Sequence, residues 1–98
     1  MLAARKVRLV VRRISPDAGA IELARRAALV VTDRGYLRIQ KRWRATVARR
    51  IDCPLVQLEG DVVVPVDAAS DHEEYSAATL RPKLLRQLDR FLRRPPEP

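Results

Sequence analysis

The chain has 98 residues, a formal net charge of +8, and 47% apolar and 33% charged residues. That size holds one small domain that buries roughly 60–65% of its unfolded surface, so its stability margin is thin. The lone Cys53 excludes an intrachain disulfide framework, and no apolar run approaches the ~20 residues of a membrane-crossing helix.

Residues 1–6 carry no apolar core of a secretory leader. With the single thiol, this leads us to expect a reduced, cytoplasmic protein without a membrane role. Val7-Arg8-Leu9-Val10-Val11-Arg12 is rich in β-branched residues and reads as a strand. Ser15-Pro16-Asp17 follows with the order of a helix start: a capping serine, proline at the first helical position, and an acid near the positive end of the dipole. Ile21, Ala24 and Ala28, with Leu23 and Ala27 beside them, are expected to form its packing face. Gly19 weakens that helix by about 1 kcal/mol relative to alanine.

Ala28-Leu29-Val30-Val31 is a continuous apolar run, as in a strand covered on both faces. Thr32-Asp33-Arg34-Gly35 ends it in a polar loop, the place where α/β proteins put ligands. Residues 36–51 have the longest helical pattern. Tyr36, Gln40, Trp43, Val47 and Ile51 share one face, while Arg38, Lys41, Arg42, Arg49 and Arg50 lie mostly elsewhere. No acid occurs between Arg34 and Ile51, so the basic face is either a solvated surface or a seat for phosphate or an acidic partner.

Asp52-Cys53-Pro54 breaks the helix. Leu55-Val56-Gln57-Leu58 reads as the next strand, and Val62-Val63-Val64 as another that Pro65 confines to an edge or an end. From Asp52 to Ala78 there are seven acids and no Lys or Arg, a strong segregation of charge. From Leu80 the pattern is helical again. Leu80, Leu84, Leu88 and Leu92, with Leu85 and Phe91, form an apolar stripe, and Lys83, Arg86, Arg90 and Arg93 a basic one. Residues 95–98 form a proline-rich tail after a domain spanning 1–94. The alternation of strands and helices predicts an α/β class: a Rossmann-like, three-layer βαβαβ unit with a largely parallel sheet that ends in an amphipathic helix.

The chain has few chemical groups of the catalytic kind. His72 is the single histidine and sits among acids in a turn, where solvation is expected. Cys53 precedes a strand and reads as an inert packing residue. Three glycines cannot build a phosphate cradle. Asp71, Glu73 and Glu74 match no calcium loop and read as solvated acids. Apart from Lys6, Lys41 and Lys83 every basic residue is arginine. That bias suits bidentate recognition of phosphate or carboxylate, and GC-rich coding would produce it equally.

The stretch 69–84 combines an acidic turn, a tyrosine expected to be buried, and Arg-Pro-Lys opening a helix. It resembles a signature of class II cyclobutane pyrimidine dimer photolyases, which reads roughly Ala-Ser-Asp-x-x-Glu-Tyr-Ala-Ala-x-Thr-x-Arg-Pro-Lys-Ile. Ala69, Ser70, Asp71, Glu74, Tyr75, Ala77, Thr79, Arg81, Pro82 and Lys83 match it, while Ser76 and Leu84 replace Ala and Ile. A second block, Val31-Thr32-Asp33-Arg34-Gly35-Tyr36-Leu37-Arg38 with Gln40, Trp43 and Arg44, resembles the Asp-Arg-Gly-Tyr-Leu block of that family. Val62-Val63-Val64-Pro65-Val66 resembles the strand before the signature. The likeness runs from about Val7 to Leu92.

The resemblance implies the later part of the family's N-terminal Rossmann-like domain, which can hold a deazaflavin or folate antenna. Antenna contact is then expected near Asp33, Arg34, Gly35 and Tyr36. The helix from Leu80 would lead toward a helical domain that binds flavin adenine dinucleotide and repairs pyrimidine dimers by light-driven electron transfer. The family's opening strand and Arg-rich loop would precede Met1, and the flavin domain would follow Pro98. No catalytic residue is carried over, and the chain alone is expected to be non-catalytic. Structural roles are expected for the signature: Tyr75 packing, Arg81 and Lys83 capping or pairing with carboxylates, and Pro82 setting the helix start. Expected partners are a second copy, through an open sheet edge or apolar face, and a chain carrying the flavin domain. Two other readings stay open: a small basic nucleic-acid-binding protein contacting phosphate through Lys83, Arg86, Arg90 and the basic helix before them, and a module that meets an acidic protein.

Overall fold

The computed structural model describes residues 2–97. Met1 and Pro98, at the ends of the expected domain and tail, lie outside the described residues. The elements in order are a 3-10 turn at Ala3–Arg5, α1 (Pro16–Ala24), β1 (Val30–Asp33), α2 (Arg38–Arg50), β2 (Leu55–Leu58), α3 (Val66–Ala69) and α4 (Ala77–Phe91). β1 and β2 pair in a two-stranded parallel sheet with α2 as the crossover, an α/β unit of Rossmann-like type. The chain divides into two compact units, one ending at Gln57 and the other beginning at Leu58.

In the first unit α1 packs on α2. Proline at the first helical position and Asp17 in the first turn start α1 as expected. The Ser15 hydroxyl holds the Asp17 carboxyl below its ordinary range. Ala24 is buried, Ile21 and Ala27 are half-buried, and Leu23 and Ala28 are exposed, so the packing face is narrower than the pattern suggested. Gly19 has a packing reason. A Cβ there would lie 3.0 Å from Ile14 Cγ2, so the missing side chain makes room for Ile14. On α2, Val47 is buried and Gln40, Trp43 and Ile51 are half-buried, which is the predicted face. Tyr36 falls before the helix and is exposed. Val30 N–H donates to Pro54 O at 3.0 Å and opens the pairing of β1 with the β2 segment.

Several strand expectations are corrected. Residues 7–12 form no strand. An isolated extended segment has no ladder to satisfy its backbone, and β propensity cannot replace a partner. Leu9 and Val11 are strongly exposed, and an exposed Arg12–Glu22 ion pair at 3.4 Å ties the segment to α1. The strand placed at 28–31 forms at Val30–Asp33 and is not covered on both faces: half-buried and exposed residues alternate along it, and Leu29 and Val31 are exposed. Double burial needs a layer on each side, and a two-stranded sheet with one crossover helix supplies less.

In the second unit, residues 62–64 form no third strand. Val64 is buried, and the three valines line an apolar groove with Leu80, Leu84 and Leu88 of α4. Pro65 does not end a strand. It is the N-cap of α3, whose first N–H, from Val66, donates to Glu59 Oε1 at 3.2 Å. α4 begins at Ala77, earlier than the Arg-Pro-Lys triplet, because Ser76 caps it: the Ser76 Oγ accepts from Thr79 N–H at 3.4 Å. Pro82 therefore lies inside the helix, where its missing N–H removes the donor that would reach the Ala78 carbonyl. Leu80, Leu84, Leu88 and Phe91 are half-buried, whereas Leu85 is exposed and Leu92 lies exposed just past the helix.

Candidate functional site

Two places expected to carry function can be built from their residues. The first is the loop after β1. β1 ends at Asp33 and α2 begins at Arg38, so residues 34–37 make the turn. Arg44, on the flank of α2, reaches back and donates from Nη1 to the Gly35 carbonyl at 2.7 Å. The Gln40 carboxamide oxygen accepts the Leu37 N–H at 3.1 Å. This is half of a capping box, since leucine at the cap has no side-chain acceptor to return the second bond. Gly35 is buried, and a Cβ there would overlap the Gln40 carboxamide. The Arg34 guanidinium lies 5.7 Å from the Tyr36 ring centroid.

The buried side of the loop is thus filled by its own chain. The gap beside Gly35 is taken by Gln40, and the Gly35 carbonyl by Arg44. What the loop offers outward is the exposed Asp33 and Tyr36. Arg44 and Gln40 are the two residues that set this geometry. Gln40 was legible as a member of the predicted helix face and, with Arg44, as part of the second block of resemblance. The signal for Arg44 was its position on the flank of that face, pointing toward the preceding loop.

The second place is the stretch from Ser70 to Lys83, in the unit that begins at Leu58. Here the structure assembles a polar cluster. Glu74 pairs with Lys83, its side chain being 9% exposed. The Ser70 Oγ donates to Glu74 Oε1 at 2.9 Å and accepts from Lys83 Nζ at 3.3 Å. His72 bridges the rim, with Nδ1 2.7 Å from Asp71 Oδ1 and Nε2 3.4 Å from Glu74 Oε1. Lys83 above all, then Thr79 and Ser70, bring the Glu74 carboxyl from 4.5 down to about 2. The His72 hydrogen bond similarly lowers Asp71.

The reading of three solvated acids is therefore corrected for Glu74, which is the centre of a lock between the turn and α4. His72 is exposed, as expected of a turn residue, but it is also hydrogen-bonded. Tyr75 is corrected in the other direction: it is 92% exposed, since the irregular turn it occupies supplies no surface to cover it. The expectation that Lys83 pairs with a carboxylate is met by Glu74.

Among the basic residues of α4, Lys83 is half-buried and turned into this lock. Arg86 Nε donates to the Pro82 carbonyl at 3.3 Å, and Arg90 lies over the Phe91 ring at 5.1 Å. The three share a side of the helix but not a common environment. Beside the lock runs the apolar groove, about 560 Å³, whose rim carries His72 and Glu74. In the first unit Cys53 is half-buried, its Sγ 3.9 Å from the Ala24 carbonyl, in keeping with a packing role. Among the described residues no group of His, Cys, Asp and Glu is placed to hold a metal ion, and no helix is long and apolar enough to cross a membrane.

Two comparisons with known proteins agree with one another. The family model described as DNA photolyase matches residues 1–98. A protein of Methanothermobacter thermautotrophicus named deoxyribodipyrimidine photo-lyase is 50% identical over 91 residues, which are 93% of this chain and 20% of that protein. The chain thus spans about a fifth of the length of the curated relative it matches.

Proposed function

This chain belongs to the DNA photolyase family, and from that premise we propose that it supplies an α/β scaffold and antenna portion of a light-dependent DNA repair protein without splitting pyrimidine dimers by itself. The observation that carries the reading is the 50% identity over 91 residues to a deoxyribodipyrimidine photo-lyase, joined to a βαβ unit of the expected class.

The use of the polar groups supports a scaffold. Glu74, the carboxyl displaced most from its ordinary range, is tied to Lys83 and Ser70. That is a structural lock rather than a poised acid or base, whose pKa would lie near the working pH. Flavin adenine dinucleotide held elsewhere in a full-length protein would supply the light-driven electron. An antenna molecule would rest on the outward residues Asp33 and Tyr36, with Arg34 beside them, because Gln40 and Arg44 close the Gly35 side. The domain is taken as residues 1–94, with 95–98 as a tail, and the setting as the cytoplasm. Its partners are the flavin-bearing portion and, through the open edges of the β1–β2 sheet, a second copy.

One sample tests this. The purified chain is irradiated with a dimer-bearing oligonucleotide and reduced flavin, and its native mass and its absorption with added deazaflavin or folate are recorded. The expected result is no dimer loss beyond a chain-free control, a self-associated mass, and a shifted antenna spectrum that Tyr36→Ala abolishes. Light-dependent repair by this chain alone would overturn the scaffold reading. A monomer would remove the second copy, and an unshifted spectrum would remove the antenna.

A further inference from the structure

α2 has a feature that the scaffold reading leaves unused. Arg38, Lys41, Arg42 and Arg49 are exposed, and α2 contains no acid. At 3.6 residues per turn, Arg38, Arg42, Ala45 and Arg49 fall within about 60° of arc, opposite the buried Val47, with Lys41 flanking them. None of these four side chains has a hydrogen bond or ion pair with a described residue. α4 differs, since Lys83 is bound to Glu74, Arg86 to a carbonyl, and Arg90 lies against Phe91. A second observation lies next to the ridge. A groove of about 370 Å³ is lined by Lys41, Arg44, Ala45, Ala48, Leu55 and Gln57. Its two alanines let a ligand approach the helix closely, and two cations flank them.

We propose that this outer ridge of α2, with the groove beside it, is a docking surface for the phosphate backbone of duplex nucleic acid. Arg38 and Arg49 are about 16 Å apart along the helix axis, which is about five phosphates of rise along one strand. A row of unpaired cations matches a linear polyanion. Arg38 and Arg42 repel one another at i,i+4, and a bound phosphate relieves that repulsion. An acidic protein partner would want an apolar or aromatic anchor at the centre of the contact, and the ridge offers Ala45. Single strands are held by stacking on aromatic rings. Trp43 lies on the opposite, packed side of α2, and Tyr36 precedes the helix. The surface therefore reads phosphates and not sequence.

The proposal does not rest on the repair reading and is tested in the dark, on undamaged DNA. The whole chain is titrated against a short labelled duplex by fluorescence anisotropy across a salt series. If three arginines each release a counterion, they contribute about 2.7 to the log–log salt slope, or roughly 40-fold in affinity between about 50 and about 200 mM salt. The triple variant Arg38→Gln/Arg42→Gln/Arg49→Gln should lose that contribution and bind at least tenfold more weakly at the lowest salt. The triple Arg→Lys variant at the same positions should keep the slope. Arg86→Gln/Arg90→Gln on α4 should change affinity less than twofold. Circular dichroism of each variant separates lost binding from lost folding.

Four results would overturn the proposal: no duplex binding at the lowest salt, an equal loss in the α4 variant, tighter binding of a single strand than of the duplex, or displacement of the duplex by polyglutamate at equal charge concentration.

Discussion

The part of the chain that ends at Gln57 buries Gly19 and Ala24 on and around α1, Gly35 in the loop before α2, and Val47 on α2 itself. It also pairs two strands. Among its described residues, the part that begins at Leu58 has Val64 as its buried residue and no strand pairing inside it, and α3 meets α4 through a turn tied by Ser70, Glu74 and Lys83. One part is held by packing and backbone pairing, and the other by a charge-assisted lock beside an apolar groove. Packing is indifferent to pH and sensitive to volume, whereas a carboxylate lock is the reverse. The two parts should therefore fail under different perturbations.

The largest effect is expected from Val47→Asp. Val47 is 5% exposed, so an aspartate there would be a buried charge without a partner. The cost should be at least about 3 kcal/mol. The amide resonances of α1 and α2 should collapse toward unfolded positions at every pH from acid to neutral. Retained dispersion in α1 and α2 would mean that packing does not hold this part together.

The next effect is expected from pH and from Glu74→Gln. The folded pKa of Glu74 is depressed, from 4.5 to about 2, chiefly by Lys83. Its stabilisation is therefore complete above about 4.5 and is withdrawn as pH falls toward about 2. The turn and α4 should lose structure across that window in the parent chain. In Glu74→Gln they should be weaker at neutral pH but nearly flat over the same range. A parent chain whose α4 amides are pH-independent between those values would remove the lock as the organising contact.

These two residues also mark how far the sequence could be read. Val47 was legible because a helical period of 3.6 recurs over five residues from Tyr36 to Ile51, and a long periodic signal survives local detail. β2 was legible at its own bounds because Pro54 and the Glu59-Gly60 turn punctuate it. Residues 7–12 and 62–64 were misread for one shared reason: strand propensity is a statement about a partnered, half-buried surface, and composition does not say whether the partner exists. Glu74 was misread because three carboxylates in a turn look alike in sequence. Only the fold brings Lys83, nine residues on, to one of them. Tyr75 was misread because an aromatic beside a helix start suggests packing, yet the turn has nothing to pack it against. The ridge on α2 was visible as a pattern, but only the fold shows that its side chains form no ion pair among the described residues.

The smallest effect is expected at Gly35, and there the cause can be separated from the usual one. Gly35 does not have a positive φ, so its backbone is one that alanine can adopt, and glycine is not required on conformational grounds. What excludes a side chain is the Gln40 carboxamide, which occupies the Cβ position. Gly35→Ala should push Gln40 aside and take the acceptor from the Leu37 N–H. Losing that cap costs about 1 kcal/mol, and the stiffer unfolded chain of alanine returns about 0.4–1 kcal/mol, so the net change should be about 0.6 kcal/mol or less. The sign of the coupling is more telling than the size. In a Gln40→Ala background the collision is gone, so Gly35→Ala should become neutral or stabilising in chemical denaturation. If the same substitution still destabilises there, something other than Gln40 needs the space beside Gly35. The loop after β1 would then be a site of close approach, and its inner side would have to be reconsidered as a chromophore seat.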